Sequence, residues 1–280
     1  MNDVSIAECL VRAALPRREA QMLLQAITGL TRTALVTRPE HPVSAEHQRT
    51  FLDWCARRRA GEPLAYLIGY REFYSLDFAV GPDVLIPRPE TELLVELALG
   101  RIAGGARRVV DLGTGTGAVA IAIAKNAPLA EVWAIDLSAK ALAVARANAK
   151  RHGVSIRFLE SNWFDALIDE RFDVIVANPP YVAIGDPHLG EGDLRFEPPS
   201  ALIGGGDGLA AIRAIVDRAP KQLASGGWLG VEHGYDQGPL VAALFAKTGL
   251  RDVTRHDDLA GIWRTTSGLR PAAANAADVA

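Results

Sequence analysis

Two short clusters in this sequence combine residue types and spacings that can do chemistry. Asp111-Leu112-Gly113-Thr114-Gly115-Thr116-Gly117 ends an apolar run and opens a helical one. Its glycines permit a tight turn with positive φ, and they remove side chains so that a ligand can reach backbone N–H groups. In an open α/β sheet, the carboxyl end of the first strand is the expected binding crevice. Gly113, Gly115 and Ala118 also satisfy the dinucleotide pattern G-x-G-x-x-A, so the glycines alone do not choose a cofactor. Asp111 does. Its carboxylate suits a cofactor carrying a sulfonium and an ammonium and would repel a pyrophosphate. With the full D-x-G-x-G-x-G loop, common in Rossmann-like methyltransferases, it favours S-adenosylmethionine, with Gly113, Thr114, Gly115, Thr116 and Gly117 as the cradle. Asp136 ends the second strand nineteen residues after Gly117. A carboxylate there can accept both ribose hydroxyls.

The second cluster is Asn178-Pro179-Pro180-Tyr181, directly after the apolar run Phe172–Ala177 and so at the same edge of the sheet. A residue before proline is pushed to extended conformations, which holds Asn178 and Pro179. The prolines bring no N–H of their own. The loop therefore presents acceptors, the Asn178 side-chain oxygen and the Pro179 carbonyl, to the two hydrogens of an –NH2 group. Tyr181 offers a face to a flat substrate. An amide nitrogen is a poor nucleophile because its lone pair is delocalised. Gripping both N–H bonds aims it at a methyl donor, an orientation effect whose upper range is about 7–11 kcal/mol. Acceptors placed where positive charge develops stabilise it further. The pair of clusters implies methylation of a planar –NH2 nitrogen. It does not choose among glutamine, adenine and guanine.

The elements that must position these clusters can be read from periodicity. Short apolar strands at Val109-Val110, 132–135, 156–159, 174–176 and 228–231 alternate with helical stretches near 117–126, 138–152, 208–223 and 238–248. Such alternation gives a mostly parallel sheet with helices on both faces. Residues 251–267 read as two further strands, a closing antiparallel pair. Ahead of this lies a helical region. Ile6, Leu10 and Ala13-Ala14 recur at helical spacing until Pro16. A second helix runs from Arg17 to Thr28 and ends at Gly29, and a third starts after Ser44 and ends at Gly61. Arg57, Arg58 and Arg59 at its last turn suit the helix dipole, and stand either solvated or against an acidic partner or RNA. Glu72–Gly81 reads as a hairpin, and Ile86-Pro87-Arg88-Pro89-Glu90-Thr91-Glu92 as an extended approach to a new helix. The expected organisation is a helical domain over 1–75, a hairpin and linker over 76–92, a catalytic α/β domain over 93–270, and a disordered tail over 271–280.

Composition narrows the class. The chain has 280 residues, is 49% apolar and 22% charged, and carries a net charge of −3. Proteins that grip long nucleic acids usually show a basic excess, and this one does not. Residues 1–75 hold ten arginines and eight acidic residues, a near-neutral balance that fits a protein partner better than a phosphate backbone. Cys9 and Cys55 have no metal-type spacing and read as buried thiols. No stretch has the length of a membrane span, and the start has no basic and apolar leader, so cytoplasm is the expected location.

Nearly the whole chain, to about residue 268, resembles the PrmC/HemK family of release-factor glutamine methyltransferases. The resemblance rests on Gly61-Glu62-Pro63-Leu64-Ala65-Tyr66, Glu72-Phe73-Tyr74, Leu85 through Glu92, the glycine loop, Asn178–Tyr181 and Glu232-His233-Gly234-Tyr235-Asp236. It implies a helical domain that docks the substrate. After that comes a Rossmann-like class I methyltransferase domain, an α/β fold with a mostly parallel seven-stranded sheet and antiparallel closing strands. It implies a glutamine acceptor in the Gly-Gly-Gln loop of class I release factors. No direct DNA contact, no metal and a monomer are further expectations. The resemblance places cofactor contacts on Gly113 to Gly117, Asp136, Trp163 and Asn178, with Trp163 packing on adenine. The family often has Asp where this chain has Asn162, so that contact stays open. His152 reads as a helix-end residue, His233 as a residue without a required role, and Gly204–Gly208 as a flexible loop able to hinge over substrate. A nucleic-acid amino-group methyltransferase is the alternative. An NAD-dependent oxidoreductase leaves Asn178–Tyr181 unexplained, and an intact acceptor loop argues against a non-catalytic cofactor-binding protein.

Overall fold

The computed structural model describes residues 4–272, so the expected tail lies outside the described residues from 273 onward. The chain divides into two compact units. One comprises the residues up to Tyr70 together with Gly190–Phe196, and the other Arg71–Leu189 with the rest of the chain from Glu197.

The first unit is helical: α1 (Ile6–Arg12), α2 (Arg17–Thr28), α3 (Arg32–Thr37), α4 (Ala45–Arg59) and α5 (Leu64–Ile68), with a two-residue antiparallel pairing of β1 (Val4–Ser5) and β2 (Pro42–Val43). Ser5 caps α1 in a capping box with Glu8, and Ser44 caps α4 by accepting from the His47 N–H. Gly29 ends α2 at φ +70°, a conformation that favours glycine. Ile6, Cys9, Leu23, Leu24, Phe51 and Cys55 form the core. Both cysteines are buried, and burial pushes the Cys55 thiol up to about 11, which leaves it unreactive. The arginine-rich end of α4 is used within the unit. Arg57 makes a paired contact with Glu62, and Arg59 donates to the Ala13 carbonyl at 2.6 Å. Arg58 binds Glu19 at 2.7 Å and Asp193 at 2.9 Å. Arg195 donates to the Ala60 carbonyl. These pairs explain why Gly190–Phe196, remote in sequence, belongs to this unit.

The second unit opens with a hairpin of β3 (Tyr70–Phe73) and β4 (Leu76–Ala79). Residues 76–92, expected as hairpin and linker, are built into this unit: Phe78, Val84 and Ile86 are all buried. Then follow α6 (Glu92–Ala103), β5 (Arg108–Leu112), α7 (Ala118–Asn126), β6 (Glu131–Asp136), α8 (Ala139–His152), β7 (Arg157–Glu160), β8 (Phe172–Ala177), α9 (Pro199–Leu202), α10 (Ala210–Gln222), β9 (Leu223–Glu232), α11 (Gly238–Lys247), β10 (Arg251–Asp257) and β11 (Trp263–Leu269). The sheet has seven strands in the order β10-β11-β9-β8-β5-β6-β7. β5 to β9 run parallel, and β11 is antiparallel to both β9 and β10. Apolar residues of α6 and α7, among them Leu94, Val95, Ile121 and Ile123, form one core cluster with the sheet. Ile212, Ile215, Val216, Val241 and Phe245 of α10 and α11 belong to another. The strand order reverses between β5 and β8, and the carboxyl edge at such a switch point is where open α/β sheets bind ligands.

Candidate active site

Register brings the two sequence clusters together. Leu112 of β5 pairs with Ala177 of β8, so Gly113 and Asn178 leave the sheet side by side at its carboxyl edge. A cavity of about 370 Å³ opens there, lined by Gly113, Gly115, Asp136, Trp163, Asn178 and Pro180, with Asp83–Leu85 and Pro198, Ser200 and Ala201 completing its wall. That volume lies in the range of small-molecule sites, ~300–1,000 Å³.

The glycine loop is shaped by contact as well as by turning. Gly113 has φ +74°, and a Cβ there would sit 3.3 Å from the Trp163 ring. Gly117, φ +82°, packs against Ile121 and Ala145, where a Cβ would come within 2.9 Å of Ile121. Asp111 lies beneath the loop, 2% exposed, and accepts from Thr114 Oγ1 at 2.6 Å. Burial pushes its carboxyl up to about 7, against the pull of the Thr114 hydrogen bond. Asp136 accepts the Gly115 N–H at 2.9 Å on one carboxyl oxygen and the Ser138 N–H at 2.8 Å on the other. Each oxygen keeps a lone pair for a ribose hydroxyl. Burial raises its pKa as well, opposed by these backbone hydrogen bonds.

Trp163 has φ +50°, an uncommon value for a non-glycine residue, and its indole forms a cavity wall against Gly113. Asn162, left open by the sequence, lines the same cavity. Thr114 and Thr116 line a smaller cleft of about 50 Å³ with Asp111, Thr91, Arg88 and, from both cavities, Asn178. Gly117, Pro179 and Tyr181 line neither. Pro179 is buried, and the Tyr181 ring packs against the α10 and α11 cluster, its carbonyl accepting from Gln237 Nε2 at 2.9 Å.

Three features of this edge escaped the sequence reading. The first is Thr91, whose Oγ1 accepts from Asn178 Nδ2 at 3.0 Å. The second is Glu232 at the end of β9, buried beside Thr91 and Asn178 with its pKa raised to about 7 by burial. An acidic residue closing an apolar strand was its visible signal. The third is Glu197, whose carboxyl accepts the Ile86 N–H at 2.9 Å and pairs with Arg88. It ties the Ile86–Arg88 segment to the Pro198–Ala201 side of the cavity.

The Gly204–Gly208 loop is a brace. Gly204 N–H donates to the Val182 carbonyl and Ile184 N–H to the Gly205 carbonyl, each at 2.9 Å. A Cβ on Gly204 would lie 2.4 Å from the Pro180 carbonyl oxygen, and one on Gly208 2.3 Å from that of Tyr181. His233 is fully buried, its ring between the Gly234 carbonyl and Thr266 Oγ1, and burial lowers its pKa. His152 Nε2 meets the Asp77 carbonyl at 2.9 Å.

Residues 5–69 match the family model described as PrmC N-terminal domain, and residues 89–189 that of the methyltransferase small domain. A protein of Bordetella pertussis named release factor glutamine methyltransferase is 49% identical over 94% of this chain and 98% of its own length. One of the same name from Burkholderia pseudomallei is 51% identical over 96% and 98%. Among solved structures, a methyltransferase from Pyrococcus furiosus aligns with TM-score 0.54 at 19% identity, covering 78% of this chain and 98% of that one. The T. thermophilus rRNA methyltransferase RsmC, solved with AdoMet and guanosine, aligns with TM-score 0.51 at 20% identity over 72% of this chain and 49% of that one. At such identities the structures speak for the fold alone, the class I methyltransferase fold.

Proposed function

Since the chain belongs to the release factor glutamine methyltransferase family, we propose that its cavity performs that family's reaction with the residues placed above. The enzyme transfers the methyl group of S-adenosylmethionine to the side-chain amide nitrogen of the glutamine in the Gly-Gly-Gln loop of class I release factors. The observation that carries this reading is the pairing of Leu112 with Ala177, which sets a cofactor loop and an amide-gripping loop on one edge.

The cavity fits the cofactor by its chemistry. Gly113 leaves a cradle that a side chain would fill, Trp163 offers a flat wall for adenine, and Asp136 retains lone pairs for two hydroxyls. Asp111 and Asp136 give the site the sign that a cationic ligand needs. When bound, S-adenosylmethionine supplies an electrophilic methyl group. Asn178 Oδ1 and the Pro179 carbonyl accept the two amide hydrogens of the substrate glutamine and hold its nitrogen toward that methyl. The fixed acceptors also stabilise the positive charge that develops on nitrogen, and the product nitrogen sheds its proton without a strong base. Pro180 keeps the loop extended, and Tyr181 anchors it through ring packing and its carbonyl contact with Gln237.

The first unit docks the release factor, and the protein works in the cytoplasm as a monomer without DNA. No helix among the described residues is long and apolar enough to cross a membrane. The internal pairing of Arg57, Arg58 and Arg59 supports a protein partner over RNA, because those charges already have partners.

A pair of variants tests the roles. Asn178→Ala loses methyl transfer while keeping much of the cofactor affinity, and Asp136→Ala weakens cofactor binding first. Equilibrium binding of labelled cofactor beside turnover separates the two. Abolished binding with turnover per bound cofactor intact in Asn178→Ala, or unchanged affinity in Asp136→Ala, contradicts the assignment.

A further inference from the structure

Asn178 can grip an amide only if its oxygen, and not its nitrogen, faces the substrate. The two ends of a carboxamide are nearly the same size, so shape alone does not choose between them. A flipped Asn178 would present N–H groups to the N–H groups of the incoming glutamine.

The structure shows what fixes the orientation. Asn178 Nδ2 donates to Thr91 Oγ1 at 3.0 Å. Behind them stands Glu232, 2% exposed, its carboxyl close enough to Thr91 and Asn178 for their polar groups to favour its ionised form. Glu232 Oε2 is buried without a hydrogen-bond partner among the described residues. A carboxyl so placed is costly to retain for packing alone.

We propose that Glu232, acting through Thr91, is a positioning residue that holds the Asn178 carboxamide with its oxygen toward the acceptor nitrogen. This rests on the reading of Asn178 as the amide grip. An ionised carboxylate has no donor, so the Thr91 hydroxyl must donate to it. Thr91 Oγ1 is then left as an acceptor for Asn178 Nδ2, and Asn178 Oδ1 is turned into the site. A protonated Glu232 can instead donate to Thr91 Oγ1, and the one-way chain is lost.

The charged and titratable groups acting on Glu232 come from several elements. Arg264 of β11 favours its ionised form and Glu90, in the turn before α6, opposes it. Tyr181 of the acceptor loop feels the Glu232 charge, and its own proton is held by burial. With the Glu232 pKa raised to about 7, chiefly by burial, its ionisation falls in the working pH range.

The test measures kcat and KM for purified release factor from about pH 6 to about pH 8 at saturating cofactor. The wild-type kcat rises through about pH 7 to a plateau, in step with the Glu232 carboxyl titration followed by carbon-detected NMR. Thr91→Val, nearly the same shape, lowers kcat by about tenfold or more, a loss of ~1.4 kcal/mol in transition-state stabilisation, with both KM values near wild type. Thr91→Ser, which keeps the hydroxyl, recovers most of that rate. Glu232→Gln is slow and loses the pH step. Should Thr91→Val misfold by thermal melting, Glu232→Gln and Thr91→Ser still decide the matter. Wild-type kcat in Thr91→Val or Glu232→Gln, with Asn178→Ala inactive, overturns the positioning role and leaves the amide grip standing. A fully active Asn178→Ala overturns both.

Discussion

Asp111 and Glu232 are two buried carboxyls at one edge of the sheet, each pushed up to about 7. A folded-state pKa above the unfolded value means that the folded chain holds a proton the unfolded chain has already released. Their contribution to stability is therefore fullest below the unfolded values of 3.8 and 4.5 and is lost as pH rises toward about 7. Asp111→Asn should melt higher than the cofactor-free wild type at about pH 8 and close to it at about pH 4, with the cavity emptied by dialysis. A stabilisation as large at the acid end as at the alkaline end would show that Asp111 is not the group responsible. A cationic ligand favours the ionised Asp111, so cofactor affinity should rise with pH through about 7 in the wild type and flatten in Asp111→Asn, as read by calorimetric titration. At this scale the sequence was informative about residue type and poor about partners. Asp111, Asp136 and Asn178 announce themselves by the loops they sit in. Thr91 and Glu232 do not, because their meaning comes from a meeting of residues 87 positions apart in one case, Thr91 with Asn178, and from burial in the other.

Strands and helices were legible where apolar runs were bounded by turn residues, and most limits moved by a residue or two, as in α10 at Ala210–Gln222 against an expected 208–223, while β9 begins at Leu223, five residues before the expected 228. The short helices α3 and α5, of six and five residues, carry too few turns for a period to show. Glycines misled in one place. The run Gly204–Gly208 resembles a flexible loop in sequence, yet at Gly204 and Gly208 the backbone carbonyls of Pro180 and Tyr181 occupy the space of a Cβ. Gly208→Ala, at φ +75° and 2.3 Å from the Tyr181 oxygen, should displace the acceptor loop and cost most of the methyl transfer while sparing cofactor binding. Full activity in that variant would mean that the loop yields freely. Ile86–Arg88 is extended ahead of Pro89, where the chain turns into a short 3-10 helix over Pro89–Thr91 that leads into α6, and the extended part is held by Glu197, whose side chain is fully buried. Arg88→Met strips this carboxyl of its charge partner, and breaking such a pair costs about 3 kcal/mol or more. Denaturant unfolding measures the loss, and a change under about 1 kcal/mol would assign the clamp to the Ile86 N–H alone.

For the molecule as a whole, composition was a guide to the partner before any contact was known. A near-neutral first unit in which Arg57, Arg58 and Arg59 at the end of α4 are paired internally has little to offer a phosphate backbone. Methylation of release factor should therefore fall less than about tenfold between about 50 and 200 mM salt, where proteins making ~6–10 phosphate contacts lose ~10³-fold or more. What sequence could not give is the return of Gly190–Phe196 to the first unit, which depends on Arg58 meeting Asp193 across 135 positions. The central claim is that this cavity methylates a glutamine amide in a protein. It is tested most directly by offering labelled S-adenosylmethionine with purified release factor, its Gly-Gly-Gln glutamine-to-alanine variant, and bulk RNA and DNA in separate reactions. Label on the wild-type factor and none on the variant is the predicted result; label on nucleic acid alone would contradict the account while leaving the chemistry of both loops in place.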